Sequence, residues 1–119
     1  MANPNIVGVT SIYGGTKLKT LGTEAAIYSN GSTSGSIVKV NSIIIANIGS
    51  TAADVSIGVQ DTVNDETSWI AKGITVPDNA TLVVSDKNTS FYLLEGFDLL
   101  ASASSTNTLS ATVSYEIIS

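Results

Sequence analysis

The stretch Leu109-Ser-Ala-Thr-Val-Ser-Tyr-Glu-Ile117 places an apolar or aromatic residue at every second position. Leu109, Ala111, Val113, Tyr115 and Ile117 share one face of an extended chain, and Ser110, Thr112, Ser114 and Glu116 share the other. Side chains of a strand point alternately to its two faces, so this period belongs to a strand with one buried and one wet side. Ala53–Gln60 repeats the pattern, with Val55, Ile57 and Val59 opposite Asp54, Ser56 and Gln60. No segment carries a 3.6-residue apolar stripe, so the fold class read from the sequence is all-β.

Working outward, Ser36–Asn47 departs from simple alternation. Counted in twos, Val38, Val40, Ile44 and Ala46 fall on one face and Ile37, Ile43 and Ile45 on the other. Its second half is therefore expected to be buried on both sides, at the centre of a sandwich or beneath a subunit contact. Further strands are expected over Ile6–Tyr13, Glu24–Ser29, Ser68–Val76, Thr81–Ser85, Phe91–Leu94 and Phe97–Ala103, with Gly14 and Gly15 ending the first. Asn30-Gly31 reads as a two-residue hairpin turn, and Gly49, Pro77-Asp78-Asn79, Asp86-Lys87-Asn88 and Glu95-Gly96 punctuate the remainder. Short strands at this spacing predict a single antiparallel β-sandwich, jelly-roll-like in organisation. Residues 1–35 are weakly patterned and form either an arm reaching a neighbour or an ordinary first pair of strands. Residues 36–119 carry most of the core.

Composition sharpens the reading by exclusion. The chain has 119 residues, enough for one domain. It has no Cys and no His, and its five basic residues are all Lys, against ten Asp and Glu, for a net charge of -5. Disulfides, thiolate or imidazole metal sites and His-based triads are therefore excluded. An acidic chain without Arg is also a poor partner for phosphate, so no nucleic-acid binding is expected. Charged residues make up 13% of the chain, about half the ~25% of ordinary soluble proteins. With a mean hydropathy of +0.30, that balance points to a surface partly covered by neighbours. Met1–Asn5 is polar and no apolar run approaches the roughly 20 residues that span a bilayer, so neither a secretory leader nor a membrane segment is expected.

The remaining polar residues do not assemble into a reaction centre. Asp61, Asn64, Asp65 and Glu66 lie in one loop but lack the ordered spacing of a calcium loop, and read as a solvated turn. Glu24, Glu95 and Asp98 could be proposed as paired carboxylates for glycoside hydrolysis, yet each flanks a Gly or a strand end and is expected in solvent. Ser residues are abundant but have no base beside them. Trp69, Phe91, Tyr92 and Phe97 could form a sugar-stacking platform, but packing in the core or an interface is the better reading. The expectation is a non-enzyme with no cofactor and no metal.

A resemblance extends this reading. Met1-Ala-Asn-Pro-Asn-Ile-Val7, followed by Val9-Thr-Ser-Ile-Tyr-Gly14, resembles the opening of small virion structural proteins of tailed phages, notably the contractile-tailed phages of marine cyanobacteria. Val40-Asn-Ser-Ile-Ile-Ile-Ala-Asn47 with Ala53-Asp-Val-Ser-Ile57 is similar to a phage pattern of strand, small-residue turn and alternating strand. Ile74-Thr-Val-Pro77, Ala80-Thr-Leu-Val-Val84, Leu94-Glu-Gly96, Leu99–Ser102 and Val113-Ser-Tyr-Glu-Ile117 continue the order across nearly the whole chain. The resemblance implies a virion location, most directly the capsid surface. The implied role is a decoration (cement) protein, bound to the major capsid protein as a homotrimer. A tail, baseplate or fibre component and a virion-exposed glycan- or receptor-binding module are the alternatives. The residues expected to touch neighbours are Ile43 and Ile45 of the doubly apolar strand, and Ile6, Val7, Val9, Ile12 and Tyr13 of an N-terminal arm.

Overall fold

The computed structural model describes Gly8 and residues 11–119. Among the described residues nine strands follow one another: β1 (Ile12–Thr20), β2 (Ala25–Ser29), β3 (Ile37–Asn47), β4 (Ala53–Asp61), β5 (Glu66–Val76), β6 (Thr81–Ser85), β7 (Phe91–Leu93), β8 (Phe97–Ala103) and β9 (Leu109–Ile118), with a 3-10 turn at Lys87–Thr89. They form two antiparallel sheets packed as a β-sandwich. The first runs β1-β9-β3-β6, with β7 also paired to β3, and the second runs β2-β8-β4-β5.

The alternating strands put their apolar positions between the sheets as expected. Leu109, Ala111 and Val113 of β9 are buried against Ala53, Val55 and Ile57 of β4 and Leu99 and Ala101 of β8, within one core cluster that Ile27 and Leu93 join. The strand β3 reaches the same core by a different count. Its pairing with β9 slips by one residue between Val40 and Ser42, so the extra residue resets the alternation. Val38, Val40, Ile43 and Ile45 consequently all point inward and are fully buried, while Ile44 points out. The second half of the strand, expected to be buried on both sides, thus buries one side after a bulge, whereas Ile37 at its start is buried on the face opposite Val38.

Two other expectations are corrected. Gly14 and Gly15 do not end a strand, because β1 runs straight through them and pairs with β9 from Ile12↔Ile118 to Thr20↔Ser110. Gly15 leaves room there for the Tyr115 ring of the neighbouring strand, which lies 2.6 Å from where a Cβ would stand. The expected strand Ile6–Tyr13 lies for the most part outside the described residues. Asn30-Gly31 is not a hairpin turn either, for β2 pairs with β8 and β3 with β9, so the loop between them crosses from one sheet to the other.

Buried amides secure such crossings. Asn30 is buried, and its Nδ2 donates to the carbonyls of Ser36 and Leu93, both at 3.0 Å, while its Oδ1 accepts from Ser34 Oγ at 2.6 Å. Asn47 does the same at the other end of β3. Its Nδ2 donates to the carbonyls of Thr51 and Val76, both at 2.9 Å, and its Oδ1 accepts the Gly49 N–H at 2.9 Å. Val76 ends β5, so Asn47 ties the two sheets together. Buried polar groups without partners are costly, and these side chains supply partners for loop carbonyls that the ladders cannot reach.

Candidate interaction surfaces

The loop carboxylates serve local structure. Asp61 Oδ1 accepts the N–H groups of Val63 and Asn64 at 3.0 and 3.2 Å, and its Oδ2 accepts Asn64 Nδ2 at 2.8 Å. The Asn64 side-chain bond foremost, with the N–H groups of Asn64 and Val63, holds the Asp61 carboxyl below its ordinary pKa. The β4–β5 loop is therefore an Asx-type turn, with Asp65 in the left-handed region at φ 54°. Asp86 caps the 3-10 turn through Asn88 N–H at 2.9 Å, and Thr89 returns the bond by accepting Asp86 N–H at 3.1 Å. Among the described residues, no group of three or more metal-ligating side chains could hold an ion.

Glu95 lies elsewhere than expected. Its position beside Gly96 predicts solvent exposure, yet the side chain is buried, and Oε2 accepts the Gly35 N–H at 3.2 Å. Gly35 has φ +68°, a conformation glycine adopts readily, which lets the β2–β3 loop turn its N–H inward. The carboxylate thus fastens that loop to the turn between β7 and β8. Sequence reasoning missed it because a strand-end acid beside Gly is ordinarily a solvated one.

The four aromatic residues considered as a stacking platform occupy different places. Trp69 lies on the outer face of β5, against Gly58 of β4, and Lys72 Nζ sits 4.0 Å from its ring centroid. The indole already has a cation where a sugar would stack. Phe97 packs partly buried against the core. Phe91 and Tyr92 instead border a cleft of about 480 Å3 between the β5 edge and the β6–β7 side, with Val59, Ile70 and Val84. Its walls are apolar, with the hydroxyls of Ser68, Ser85 and Thr89 as polar lining and no charged group. The lining places no His, Lys, Asp or Glu beside those hydroxyls.

Of the residues expected at interfaces, Ile43 and Ile45 have no exposed surface, because the bulge turns them into the core. Ile12 and Tyr13 lie exposed on β1. Ile6, Val7 and Val9 lie outside the described residues. The structure adds positions that simple alternation did not single out. Leu18, Thr112, Ile44 and Val83 stand side by side across β1, β9, β3 and β6, since Leu18 pairs with Thr112, Thr112 with Ile44, and Ile44 with Val83. Leu18, Ile44 and Val83 are exposed, which makes an apolar row across the outside of the first sheet. The next row, Thr20, Ser110, Ala46 and Thr81, carries no charge.

Comparison with known proteins agrees with this architecture. No protein-family model matches the chain, and no curated protein matches it in sequence. Among solved structures, it is similar to a chain in the acid-stable capsid structure of Helicobacter pylori bacteriophage KHP30, at 12% identity and a TM-score of 0.53. The match covers 93% of this chain and 90% of that one, so the two share their fold across nearly their full lengths.

Proposed function

We propose that this chain is a structural protein of a phage virion and that it decorates the outside of the capsid, bound to the major capsid protein. The observation that carries the proposal is the full-length sharing of its β-sandwich with a chain of a phage capsid. Strand order supports the jelly-roll reading as well. Strands β1, β3, β6, β7 and β9 build one sheet and β2, β4, β5 and β8 the other, so the chain passes repeatedly between layers.

The physical character of the surface suits a positional role. Asp61 and Asp86 are held in turns, the aromatic ring that could stack on a sugar is engaged by Lys72, and exposed apolar residues include Ile12, Tyr13 and Leu18 of β1 with Ile44 and Val83 on the outer face beside it. A decoration protein acts by binding the assembled shell better than its free subunits, which stabilises assembly by mass action. Repetition over many identical sites makes weak contacts sufficient when copies are joined.

The test is to add the purified protein to capsids that lack it and image them by cryo-EM. Regular additional density at equivalent exterior positions is the expected result. Density confined to the tail, baseplate or fibres of intact virions, or no association with capsids, overturns the decoration role.

A further inference from the structure

We propose that β1 is a self-pairing edge, through which a second copy of this chain extends the first sheet across a two-fold axis. Among the described residues, five strand edges lie open in the two sheets: β1, β6 and the three-residue β7 in one, β2 and β5 in the other. Open edges invite further pairing unless they are short, bulged or otherwise blocked. The strand β2 has five residues and a register shift between Ala26 and Tyr28, and β6 also has five residues. The strand β5 is broken by two register shifts, one beside Gly73 at φ +63°. The strand β1 has nine residues in unbroken register with β9.

Hydrogen-bond parity shows which groups that edge offers. Ser11 and Ser119 exchange N–H···O bonds at 2.9 and 3.0 Å, and Leu21 N–H donates to Leu109 O at 2.8 Å. Odd-numbered residues of β1 therefore direct their backbone groups at β9. By alternation, Ile12, Gly14, Thr16, Leu18 and Thr20 direct theirs away from it. The same strand exposes large apolar surface, with Ile12 at 59%, Tyr13 at 66% and Leu18 at 72% exposure. Exposed apolar side chains and free backbone groups thus lie on one strand.

Charge and the glycines together select the register. The only charged residues of β1 are Lys17 and Lys19. An antiparallel pairing centred on Lys17 or Lys19 sets lysine opposite its own copy, and one centred on Leu18 sets Lys17 opposite the partner's Lys19. Pairings centred on Gly15 and on Thr16 both avoid these, and the Gly15 centre is the one that places residues without side chains at the axis. It joins Ile12 to the partner's Leu18 and Gly14 to the partner's Thr16 as hydrogen-bonded pairs, using the groups that point outward. On the other face it sets Tyr13 opposite the partner's Lys17, a cation-on-ring contact. Gly15 meets the partner's Gly15 at the axis, where non-hydrogen-bonded strands approach to a Cα separation of about 4.5 Å. No side chain stands in the way there, and each Tyr115 ring covers its own Gly15.

This contact is isologous, so any assembly built through it contains an even number of chains. It holds independently of whether the protein sits on a capsid. The experiment uses the full chain in three forms. Sedimentation of the unmodified protein is expected to give a dimer or another even-numbered species. Thr16→Pro removes an N–H that β9 does not use, and is expected to halve the mass with the β circular dichroism signal retained. The protein has no Cys, so Tyr13→Cys combined with Lys17→Cys gives a clean cross-linking probe. Its two thiols stand on one strand too far apart to join within a chain, and mild oxidation is expected to yield a covalent dimer. A monomer or trimer in the unmodified protein overturns the proposal. So does cross-linking of a Tyr13→Cys/Lys19→Cys variant in place of the Tyr13→Cys/Lys17→Cys variant.

Discussion

The Trp69 indole rests on Gly58: a Cβ on that glycine would come within 2.8 Å of Trp69 Cε3 and 3.1 Å of the Ser68 carbonyl oxygen. A strand glycine ordinarily weakens its strand, so alanine would be expected to help. Here the indole covers the space that a side chain would fill, and one obstacle is backbone. Gly58→Ala is expected to destabilise the fold by about 1–3 kcal/mol, the usual penalty of overpacking. Urea unfolding followed by circular dichroism measures the loss, and a red-shifted Trp69 emission would locate it. Gly15→Ala is expected to cost less, because the atoms in its way are the far end of the Tyr115 side chain.

Asn47 offers a second test, at the tie between sheets. Removing its amide by Asn47→Ala leaves the carbonyls of Thr51 and Val76 and the N–H of Gly49 without this partner. The expected loss is on the order of 2–3 kcal/mol, typical for orphaned buried polar groups. A denaturation midpoint unchanged from the parent protein would show that water replaces the amide at no cost.

The bulge in β3 makes neighbouring isoleucines unequal. Ile45→Ala removes buried methyl groups from the core and is expected to cost 2–5 kcal/mol, within the range of about 2–5 kcal/mol for such truncations. Ile44→Ser on the outer face is expected to change stability by only about 0.5 kcal/mol. Comparable losses at the two positions, measured by thermal or urea unfolding, would contradict the parity reset after Val40.

Tyr28 gives a prediction in pH. Burial first, and the nearby Tyr115 second, raise its phenol above the ordinary value of 10.0. Their rings lie 4.8 Å apart between the sheets. The folded state therefore holds the proton more tightly than the unfolded chain. Its contribution is fully present below the ordinary tyrosine value and is lost as pH rises through the higher folded value. Alkaline titration by ultraviolet absorbance should show Tyr28 ionising above that ordinary value. Tyr115→Phe should bring it closer to the ordinary value without restoring it, because burial remains the larger cause.

Much of the sandwich is legible in local pattern. The alternation of Leu109–Ile117 and Ala53–Gln60 locates β9 and β4, and turn residues separate the strands between them. What local pattern cannot carry is pairing. The parity of Ile43 and Ile45 depends on a slip against β9, and the strand through Gly14 and Gly15 is held by pairing with β9, a distant segment. Asn30-Gly31 has the composition of a hairpin turn, but the partners of its flanking strands lie in different sheets. The candidate surface follows the same division. Ile12 and Tyr13 are visible as apolar residues near a weakly patterned end, whereas the row of Leu18, Ile44 and Val83 exists only once three separate strands are in register.

The position of β9 between β1 and β3 bears on how the chain acquires its shape. During synthesis β1 emerges before every other described strand, and its ladder partner emerges after all of them. The first sheet therefore cannot zip up progressively behind the ribosome. The nascent chain must carry β1 and β3 with their inner edges unsatisfied until β9 appears between them. Contacts so distant along the chain make folding slow, and the waiting strands are open to mispairing with other nascent chains. Abundant production of such a protein would favour conditions in which the completed chain closes its sheet before it meets another unfinished one.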